Sequence, residues 1–408
     1  MVEWIDVLLS DILMDKGYIR GPFGSALKRG DMKEDGIPVY EQQHAIYNSR
    51  DFRYYIDEQK FNEMKRFQVK KDDLIISCSG TVGKVSIIKD DDPKGIISQA
   101  LLLLRADTNK VLPLYLKYFF SSREGYSAIV SRSSGSVQVN IAKRSVIEQI
   151  PLKLPQIKTQ RKIVGVLSSI DKKIKENERI NNNLEQQYIS IVDNLLSKLT
   201  QYKIYSLLEV ADCQNGRAFY KEGYDPNGAF VIDLGNVNTS GNFVRTAADK
   251  YISLDRYKEP KLEKYRVYKN DIVMVMTDRK STMELLGKVG KIYKDGYYLL
   301  NQRMYRIRAK EGINTNYLYA CLNSTETSNF LKRKALGSVQ KYVNTGEINS
   351  IEIKVPSSEK MEEIASILDP IFLQMESNIL ENESLNELRD ILLPKLMSGE
   401  LDVSGIDL

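Results

Sequence analysis

Two short stretches of the sequence have residue types and spacings that could carry chemistry. Residues 80–84 read GTVGK and resemble a phosphate-binding loop, but that loop requires GxxxxGK followed by Ser or Thr and then a helix, whereas strand-like segments flank this motif. Glu352 and Lys354 have the ExK spacing of a nuclease site, yet the matching place in the first half reads Pro-Leu-Lys at 151–153. We therefore interpret the first stretch as a hairpin turn and expect no catalytic role for the second.

The residues that most often bind metals or act as nucleophiles are scarce and scattered. His44 is the single histidine, so a site with two histidine ligands is excluded. Cys78, Cys213 and Cys321 lie far apart without a CxxC pair, so we predict neither a disulfide framework nor a zinc site. The chain also lacks GxSxG, HExxH and the Asn/Asp-Pro-Pro-aromatic tetrapeptide with which an amino-methyltransferase holds a flipped base. We expect a protein that is not an enzyme and that holds no metal or cofactor.

Length and composition limit the class of protein. A chain of 408 residues with 42% hydrophobic and 28% charged residues predicts roughly two to four globular folding units. No apolar run approaches the ~20 residues of a membrane-spanning helix, and the acidic N-terminal stretch does not resemble a signal peptide. We therefore expect a cytoplasmic protein without membrane contact. A net charge of +5 permits binding to nucleic acid but does not by itself predict it.

The chain contains an internal repeat. The tetrapeptide GSVQ occurs at 135–138 and again at 337–340, an offset of 202 that falls to 201 after one deletion, and both copies lead through a proline into a long helical pattern. Upstream, Asp73 faces Asp271, and Gln99 and Arg105 face Gln302 and Arg308. Short Val- and Ile-rich runs broken by Gly, Asn and Asp read as strands and turns. Each half is therefore predicted to be a mixed α/β globule that ends in one long helix.

Both long helical patterns have the alternating spacing of four and three that is typical of a coiled-coil seam. The apolar seam positions are Ile163, Leu167, Ile170, Ile174, Leu184, Tyr188, Ile191 and Leu195 in the first helix, and Ile364, Leu368, Ile371, Met375, Leu385, Leu392 and Leu396 in the second. Both seams are interrupted by asparagine at equivalent places, Asn177 and Asn181 in the first and Asn378 and Asn382 in the second. Some forty residues form a helix of roughly 60 Å.

A seam asparagine weakens a coiled coil but selects register and partner, because a misaligned buried amide lacks a hydrogen-bond partner. An antiparallel pairing would bring Asn177 against Asn382 and Asn181 against Asn378. A parallel pairing would align like positions, and the connection through a whole globule permits either. A third arrangement has each helix covering only its own globule. We expect the antiparallel coiled coil, with these four asparagines setting its register.

The whole pattern resembles the specificity (S) subunits of type I restriction-modification systems. The likeness rests on two variable globules, each followed by a GSxQ stretch, an I-x-(L/V)-P step and a long helix, and on the tail LPKLMSGE at 393–400. With the repeat it predicts an α+β chain with two pseudo-symmetric α/β target-recognition domains at 1–155 and 201–356. Spacer helices at 156–200 and 357–400, forming an antiparallel coiled coil, would separate them, and a C-terminal tail would follow at 401–408.

The resemblance also implies a function. Each target-recognition domain would read one half of a bipartite, asymmetric sequence in double-stranded DNA, and the helices would set the unspecified gap and dock two methyltransferase subunits. Those subunits would bind S-adenosylmethionine and methylate adenine, while separate restriction/translocase subunits would cut unmodified DNA. This chain would be the non-catalytic DNA-specificity subunit of the complex.

Reading of bases requires Arg, Lys, Asn, Gln or Ser on exposed loops. The loops of the two halves supply the candidates Lys28, Arg29, Gln42, Gln43, His44, Thr81, Lys84, Arg217, Arg279, Lys280 and Ser281. The GSVQ stretches occur in both halves, so Ser134, Ser136, Gln138, Ser338 and Gln340 suit contact with phosphates or a role in loop architecture. Each of these residues could instead be a solvated loop residue.

Two other functional interpretations remain open at this point. Duplicated globules on a coiled coil could form a non-catalytic scaffold that binds other proteins, although this leaves the polar, basic and Ser-rich hairpins unexplained. A single-chain nuclease or methyltransferase is opposed by the missing catalytic motifs.

Overall fold

The computed structural model describes residues 4–23, 26–133, 140–219, 225, 227–238, 243–244, 250–278, 282–338 and 340–405. The chain divides into two compact units. Unit 1 comprises Met1–Lys173 together with Ser384–Leu408, and unit 2 comprises Ile174–Glu383. Within the described ranges, no helix has both the length and the apolar character needed to cross a membrane.

Unit 1 contains strands and short helices, followed by the first part of a long helix. The strands are β1 (Trp4–Leu8), β2 (Leu13–Arg20), β3 (Ile37–Tyr40), β4 (Tyr55–Ile56), β5 (Leu74–Ser77), β6 (Val85–Ile87), β7 (Ile96–Ile97), β8 (Leu101–Ala106) and β9 (Pro151–Pro155). The helices are α1 (Gln42–Ile46), α2 (Glu58–Glu63), α3 (Pro113–Ser121), α4 (Arg123–Val130), α5 (Arg144–Ile147) and α6 (Ile157–Ser197), of which α6 continues into unit 2.

Unit 2 repeats this order with some additional strands. Its strands are β10 (Lys203–Ser206), β11 (Ala211–Asn215), β12 (Ala229–Ile232), β13 (Lys250–Ile252), β14 (Arg266–Val267), β15 (Ile272–Val275), β16 (Thr277–Asp278), β17 (Val289–Lys291), β18 (Tyr298–Leu300), β19 (Met304–Ala309), β20 (Lys341–Tyr342) and β21 (Glu352–Val355). Its helices are α7 (Leu207–Val210), α8 (Leu254–Tyr257), α9 (Thr315–Asn323), α10 (Thr325–Arg333), α11 (Thr345–Asn349) and α12 (Ser358–Ser398), of which α12 ends in unit 1.

The same antiparallel four-stranded sheet forms the centre of each unit, in the order β2-β8-β5-β6 in unit 1 and β11-β19-β15-β17 in unit 2. In unit 1 the central strands β5 and β8 are largely apolar on both faces because both faces are covered. Leu102 and Leu104 of β8 belong to one core cluster, and Leu101 and Leu103 belong to another. A second sheet in each unit contains one parallel pair, β3 with β7 and β12 with β18.

The predicted hairpin turn at 80–84 is confirmed. Strands β5 and β6 pair antiparallel on either side of it, and the backbone N–H of Gly83 donates to the carbonyl of Ser77 over 2.9 Å. Gly83 has φ +86°, a left-handed conformation that glycine adopts without steric cost.

An ion pair with a buried carboxylate occurs at the same place in both units. Arg105 donates two hydrogen bonds of 2.7 Å to Asp73, and Arg308 donates bonds of 2.6 and 2.7 Å to Asp271. Each carboxylate side chain is at most 2% exposed. Each pair joins the loop before β5 or β15 to the neighbouring strand β8 or β19, so the aligned residues of the repeat hold the two central sheets in the same way.

The two long helices pack against each other in antiparallel orientation. In unit 1, Ile163 and Leu167 of α6 share a core cluster with Leu396 and Met397 of α12. In unit 2, Tyr188 of α6 belongs to the cluster that contains Leu368 and Phe372 of α12, and the rings of Tyr188 and Phe372 lie 4.9 Å apart. The start of each helix therefore lies beside the end of the other.

Paired asparagines lie between these apolar contacts, within unit 2. The amide of Asn177 donates to Oδ1 of Asn382 over 2.9 Å, and the amide of Asn378 donates to Oδ1 of Asn181 over 2.7 Å. Asn177, Asn181 and Asn378 are 0, 7 and 4% exposed. Of the two pairings that the sequence allowed, the structure contains the antiparallel one.

The structure differs from the predicted seam near the end of α6. Val192 and Leu196 are buried there, whereas Ile191 and Leu195, which the spacing predicted, are only half-buried. This end of the helix belongs to the core cluster of unit 2 as well as contacting α12, so its apolar face is wider than a two-helix seam.

Helix α12 continues through Pro370 and Pro394, each of which removes one backbone hydrogen bond. Both prolines are exposed, as are Ser366 and Asp390, the residues four positions earlier whose carbonyls lose their partners. Because these residues are exposed, water rather than protein can supply the missing hydrogen bonds, and the helix is not interrupted.

The asparagine layer generates a stability prediction. Replacing Asn378 with Ala removes the donor to the buried Oδ1 of Asn181, which should lower the free energy of unfolding by about 1–3 kcal/mol. The exposed Asn183 on α6 is the matched control, and its change to Ala should alter stability by no more than about 0.5 kcal/mol. Urea denaturation followed by circular dichroism measures both.

Replacing Asn181 and Asn378 together with Leu provides a contrasting variant. Removing both partners leaves no orphaned amide, so this double variant should be more stable than Asn378→Ala. If Asn378→Ala and the Asn183→Ala control lowered the free energy of unfolding equally, this would contradict a stabilising role for the amide pair.

Candidate nucleic-acid interface

A cleft of about 760 Å³ lies in unit 1 where the end of β2, the β5–β6 loop and the turn before β8 meet the segment that enters α5. We call it the first cleft. It is lined by Tyr18, Arg20, Phe23, Ser79, Gln99, Ala100, Asn140, Ile141, Ala142, Lys143 and Arg144.

A cleft of about 560 Å³ lies in unit 2 where the end of β11, strand β16 and the turn before β19 meet the segment that enters α11. We call it the second cleft. It is lined by Asn215, Gly216, Met276, Thr277, Gln302, Arg303, Gln340, Tyr342, Val343, Asn344 and Thr345.

The same backbone arrangement forms both clefts. A Cβ added to Gly21 would lie 1.9 Å from the carbonyl oxygen of Ser98, and one added to Gly216 would lie 1.7 Å from that of Asn301. Only glycine allows the end of β2 or β11 to approach this turn so closely. The turn itself is closed by an N–H donated to the same carbonyl, from Leu101 over 3.1 Å in unit 1 and from Met304 over 3.2 Å in unit 2.

The opposite side of each cleft is also equivalent. Ser79 forms an isolated antiparallel bridge with Asn140, and Thr277 pairs antiparallel with Tyr342. Both pairings attach the segment that follows the GSVQ tetrapeptide to the strand that leads out of the central sheet. The two clefts therefore occupy one location in a duplicated fold.

The linings of both clefts favour an anion. The first cleft contains Arg20, Lys143 and Arg144, the second contains Arg303, and no carboxylate lines either cleft within the part of the chain that the structure describes. Arg144 donates to Glu148 over 2.8 Å, so part of its charge is neutralised. By contrast, a cavity beside β1 is lined by Asp11 as well as by lysines.

One residue in the lining of each cleft has a buried polar atom without a hydrogen-bond partner among the residues that the structure describes. In the first cleft it is Nη1 of Arg20, and in the second it is Oγ1 of Thr277. Thr277 is 5% exposed. An unsatisfied buried polar group costs roughly 1–3 kcal/mol, which an occupant that bonds to it would remove.

Burial changes the acidity of the groups at the floor of the first cleft. It raises the pKa of the Tyr18 hydroxyl to about 12 and that of the adjacent Cys78 thiol to about 12. Both groups are therefore neutral at physiological pH and add no negative charge to the cleft.

The residues predicted from the first half to contact DNA have different exposures. Lys28, Arg29, Thr81 and Lys84 are exposed, and the ammonium of Lys84 lies 4.9 Å from the ring centre of Tyr126. The structure does not bring these four side chains into the first cleft, so they remain predictions as separate loop contacts.

Gln42 and Gln43 are half-buried and already bonded within unit 1. The side-chain carbonyl of Gln42 accepts from the N–H groups of Cys78 and Ser79 over 3.2 and 2.8 Å, and the amide of Gln43 donates to the carbonyl of Asp51 over 3.0 Å. Gln42 thus positions the loop that carries Ser79 into the first cleft.

His44 is fully buried and both of its ring nitrogens have partners. The N–H of Glu41 donates to Nδ1 over 2.6 Å, and Nε2 lies 3.1 Å from the carbonyl oxygen of Asp51. A neutral ring with its proton on Nε2 satisfies both contacts. The ring also packs against Tyr40 and Phe52 at centroid distances of 5.6 and 4.6 Å, so it presents no surface to an external partner.

The predicted residues of the second half and of the GSVQ stretches are only partly described. Arg217 and Ser338 are exposed, while Gln340 is half-buried and lines the second cleft. The candidates that lie outside the described residues are Ser134, Ser136, Gln138, Arg279, Lys280 and Ser281.

Sequence reasoning missed most of the residues that line the clefts, among them Gln99, Gln302, Arg20 and Arg303. Gln99 and Gln302 occupy the second position of the equivalent turns, and their alignment in the repeat was the available signal. Arg20 and Arg303 gave no such signal, because they align with Asn215 and Ala100, respectively, in the other half of the repeat. Only the folded structure shows that both arginines line the same kind of cleft.

Comparison with known proteins identifies relatives over nearly the whole chain. A family model described as the type I restriction modification DNA specificity domain matches residues 23–186 and again residues 200–389. The type I restriction enzyme MjaVIII specificity subunit of Methanocaldococcus jannaschii is 23% identical, with 99% of this chain and 94% of that protein covered. The HindI specificity subunit of Haemophilus influenzae is also 23% identical, with 82 and 87% covered.

The fold has a counterpart among solved structures. The S subunit of a type I restriction-modification system from M. genitalium superposes with a TM-score of 0.52 at 15% sequence identity, covering 97% of this chain and 96% of that one. At this identity the likeness concerns the fold.

The environment of His44 generates a titration prediction. Burial lowers the pKa of His44 below its ordinary value of about 6.5, although its backbone hydrogen bonds oppose this. As pH falls, the unfolded chain takes up the proton first, so His44 contributes stability above about pH 6.5 that is lost as pH falls toward its folded pKa.

The histidine ring resonances, which come from one residue, measure this pKa directly by NMR. The same resonances in urea-unfolded protein provide the reference, near 6.5. A folded-state pKa at or above the reference would contradict the buried placement.

Proposed function

The chain belongs to the type I restriction modification DNA specificity family, and we propose that it is the subunit through which such a complex recognises its DNA sequence. The family match occurs twice, once in each half of the chain. The observation that carries the proposal is the duplicated cleft-bearing fold, since two similar domains can contact two separate segments of one duplex.

The proposed target is bipartite and asymmetric. The two domains have the same central sheet but different side chains at equivalent positions, such as Asn140 in the first cleft against Tyr342 in the second. Domains that present different donors and cations contact different sequences, so the two half-sites should not be related by a palindrome. The domain limits at 1–155 and 201–356 remain those predicted from the repeat.

In this proposal the paired helices α6 and α12 set the number of unspecified base pairs between the half-sites and dock two methyltransferase subunits. Those subunits bind S-adenosylmethionine and transfer its methyl group to adenine, and restriction/translocase subunits cut unmodified DNA. The chain itself takes part in recognition and not in catalysis. It acts in the cytoplasm, where its DNA substrate lies.

Reconstitution with the cognate methyltransferase subunit tests recognition. We expect the complex to deposit N6-methyladenine at one bipartite motif, which sequencing of modified DNA detects, and we expect neither protein alone to do so. If the partner never yields a motif, the protein-binding scaffold becomes the better interpretation. Methylation or cleavage by this chain alone would instead indicate a single-chain enzyme.

Lengthening both helices tests the spacer. Duplicating 174–180 in α6 and 379–385 in α12 adds one heptad to each and keeps the contacts of the asparagine layer. At about 1.5 Å per residue the pair becomes about 10 Å longer, which corresponds to about three base pairs at 3.4 Å each. The methylated motif should therefore have a wider gap and unchanged half-sequences.

The control for this experiment lengthens one helix only. Duplicating 174–180 without the partner heptad shifts the antiparallel register, so this variant should lose modification and not gain a new gap. An unchanged gap in the doubly lengthened protein would refute the spacer role.

A further inference from the structure

We propose that each cleft seats one phosphate group of the DNA backbone, with Arg20 in the first cleft and Arg303 in the second as the paired cation. This inference rests on the proposed function, because it names where the two domains hold the duplex. Nothing in the family match assigns a ligand to these residues.

The charge and hydrogen-bond character of the clefts indicates an anionic oxygen ligand. Among the described residues, both linings contain Arg and no carboxylate, and both include a hydroxyl-bearing residue, Ser79 or Thr277, and an exposed glutamine, Gln99 or Gln302. Phosphate oxygens accept hydrogen bonds from all of these groups. The volumes of about 760 and 560 Å³ lie within the range of about 300–1,000 Å³ usual for ligand sites.

The buried polar atoms that lack a hydrogen-bond partner independently support the presence of a ligand in each cleft. Nη1 of Arg20 is a donor, and the hydroxyl of Thr277 can donate, and neither has a partner among the described residues. A phosphate oxygen that reached either atom would satisfy it. The two atoms come from different positions of the repeat, at the end of β2 and in β16, but each belongs to a residue that lines one of the two equivalent clefts.

A phosphate is favoured over a base edge because three features of the clefts occur in both halves. The hydroxyl, the turn amide and the glycine that lets the strand approach the turn occur in both halves. Contacts to phosphate and sugar carry no sequence information, so two domains that read different bases can share them.

The cations come from different positions but can reach the same place. Arg20 ends β2, Arg303 immediately precedes β19, and the strands β2–β8 and β11–β19 are hydrogen-bonded neighbours in their sheets. Neighbouring strands lie about 4.8 Å apart, which a guanidinium can span. Arg303 also has φ +70°, a conformation that costs a non-glycine residue on the order of 1–3 kcal/mol and often marks a functional turn.

The salt dependence of DNA binding tests whether Arg20 and Arg303 contact phosphates. The complex with methyltransferase subunits is bound to a duplex that carries its mapped motif, and Kd is measured by fluorescence anisotropy from about 50 to 200 mM salt. Arg20→Gln and Arg303→Gln should each weaken binding roughly tenfold and lower the slope of log Kd against log salt by about one. The methylated motif should stay the same in both variants.

Duplexes with single neutral methylphosphonate linkages identify the phosphate. For each cleft, one neutral linkage in the corresponding half-site should lower the affinity of the wild-type complex. The same linkage should not lower further the affinity of the variant that lacks the arginine of that cleft. In the second cleft, Asn215→Arg combined with Arg303→Gln moves the cation to the position that it has in the first cleft and should restore most of the lost affinity.

Charge-matched controls are Arg66→Gln in unit 1 and Lys269→Gln in unit 2, which are exposed residues outside both clefts. Arg20→Lys retains the charge and should retain the slope, which separates a phosphate contact from a folding defect. Equal effects of the controls, an unchanged slope, or a motif altered at one position by Arg20→Gln or Arg303→Gln would overturn the proposal. Failure of the wild-type complex to produce any motif would instead refute the proposed function.

Discussion

The buried amide pairs between α6 and α12 are the interaction on which the rest of the structure depends. Each helix has 41 residues, and its other contacts with the partner helix are mainly apolar. Apolar contacts are not directional, so several registers could satisfy them. The amides of Asn177 and Asn378, which donate to Asn382 and Asn181, are directional, and a shift of one turn would leave them buried without partners. We infer that the asparagine layer selects one register for both units.

The repeat shows how one backbone fold can present two different sets of cleft side chains. The ion pairs Asp73–Arg105 and Asp271–Arg308 hold the central sheets alike, and glycine brings a strand against the same turn in both halves. The side chains around the resulting clefts nevertheless differ. A frame stabilised by buried, shared contacts leaves the exposed loop residues free to vary, which is what a protein with two different specificities requires.

The sequence predicted the elements better than the site. The hairpin at 80–84 and the two long helices follow from local patterns of glycine and apolar residues, and the structure contains them. His44 and Gln42 were predicted to contact DNA bases from an exposed polar loop. In the structure the ring of His44 is buried, and the side chain of Gln42 accepts a hydrogen bond from the loop that carries Ser79. Burial depends on what packs above a loop, and a linear pattern does not contain that information.

By itself, the sequence determined the duplication, the mixed α/β class, the two long helices with their asparagines and the family to which the chain belongs. These properties are periodic or local, so they can be recognised along the chain. Only the tertiary structure decided the antiparallel pairing, the burial of His44 and the formation of the two clefts. Arg20, Ser79 and Asn140 come from distant parts of the chain, and sheet pairing alone places them around one cleft.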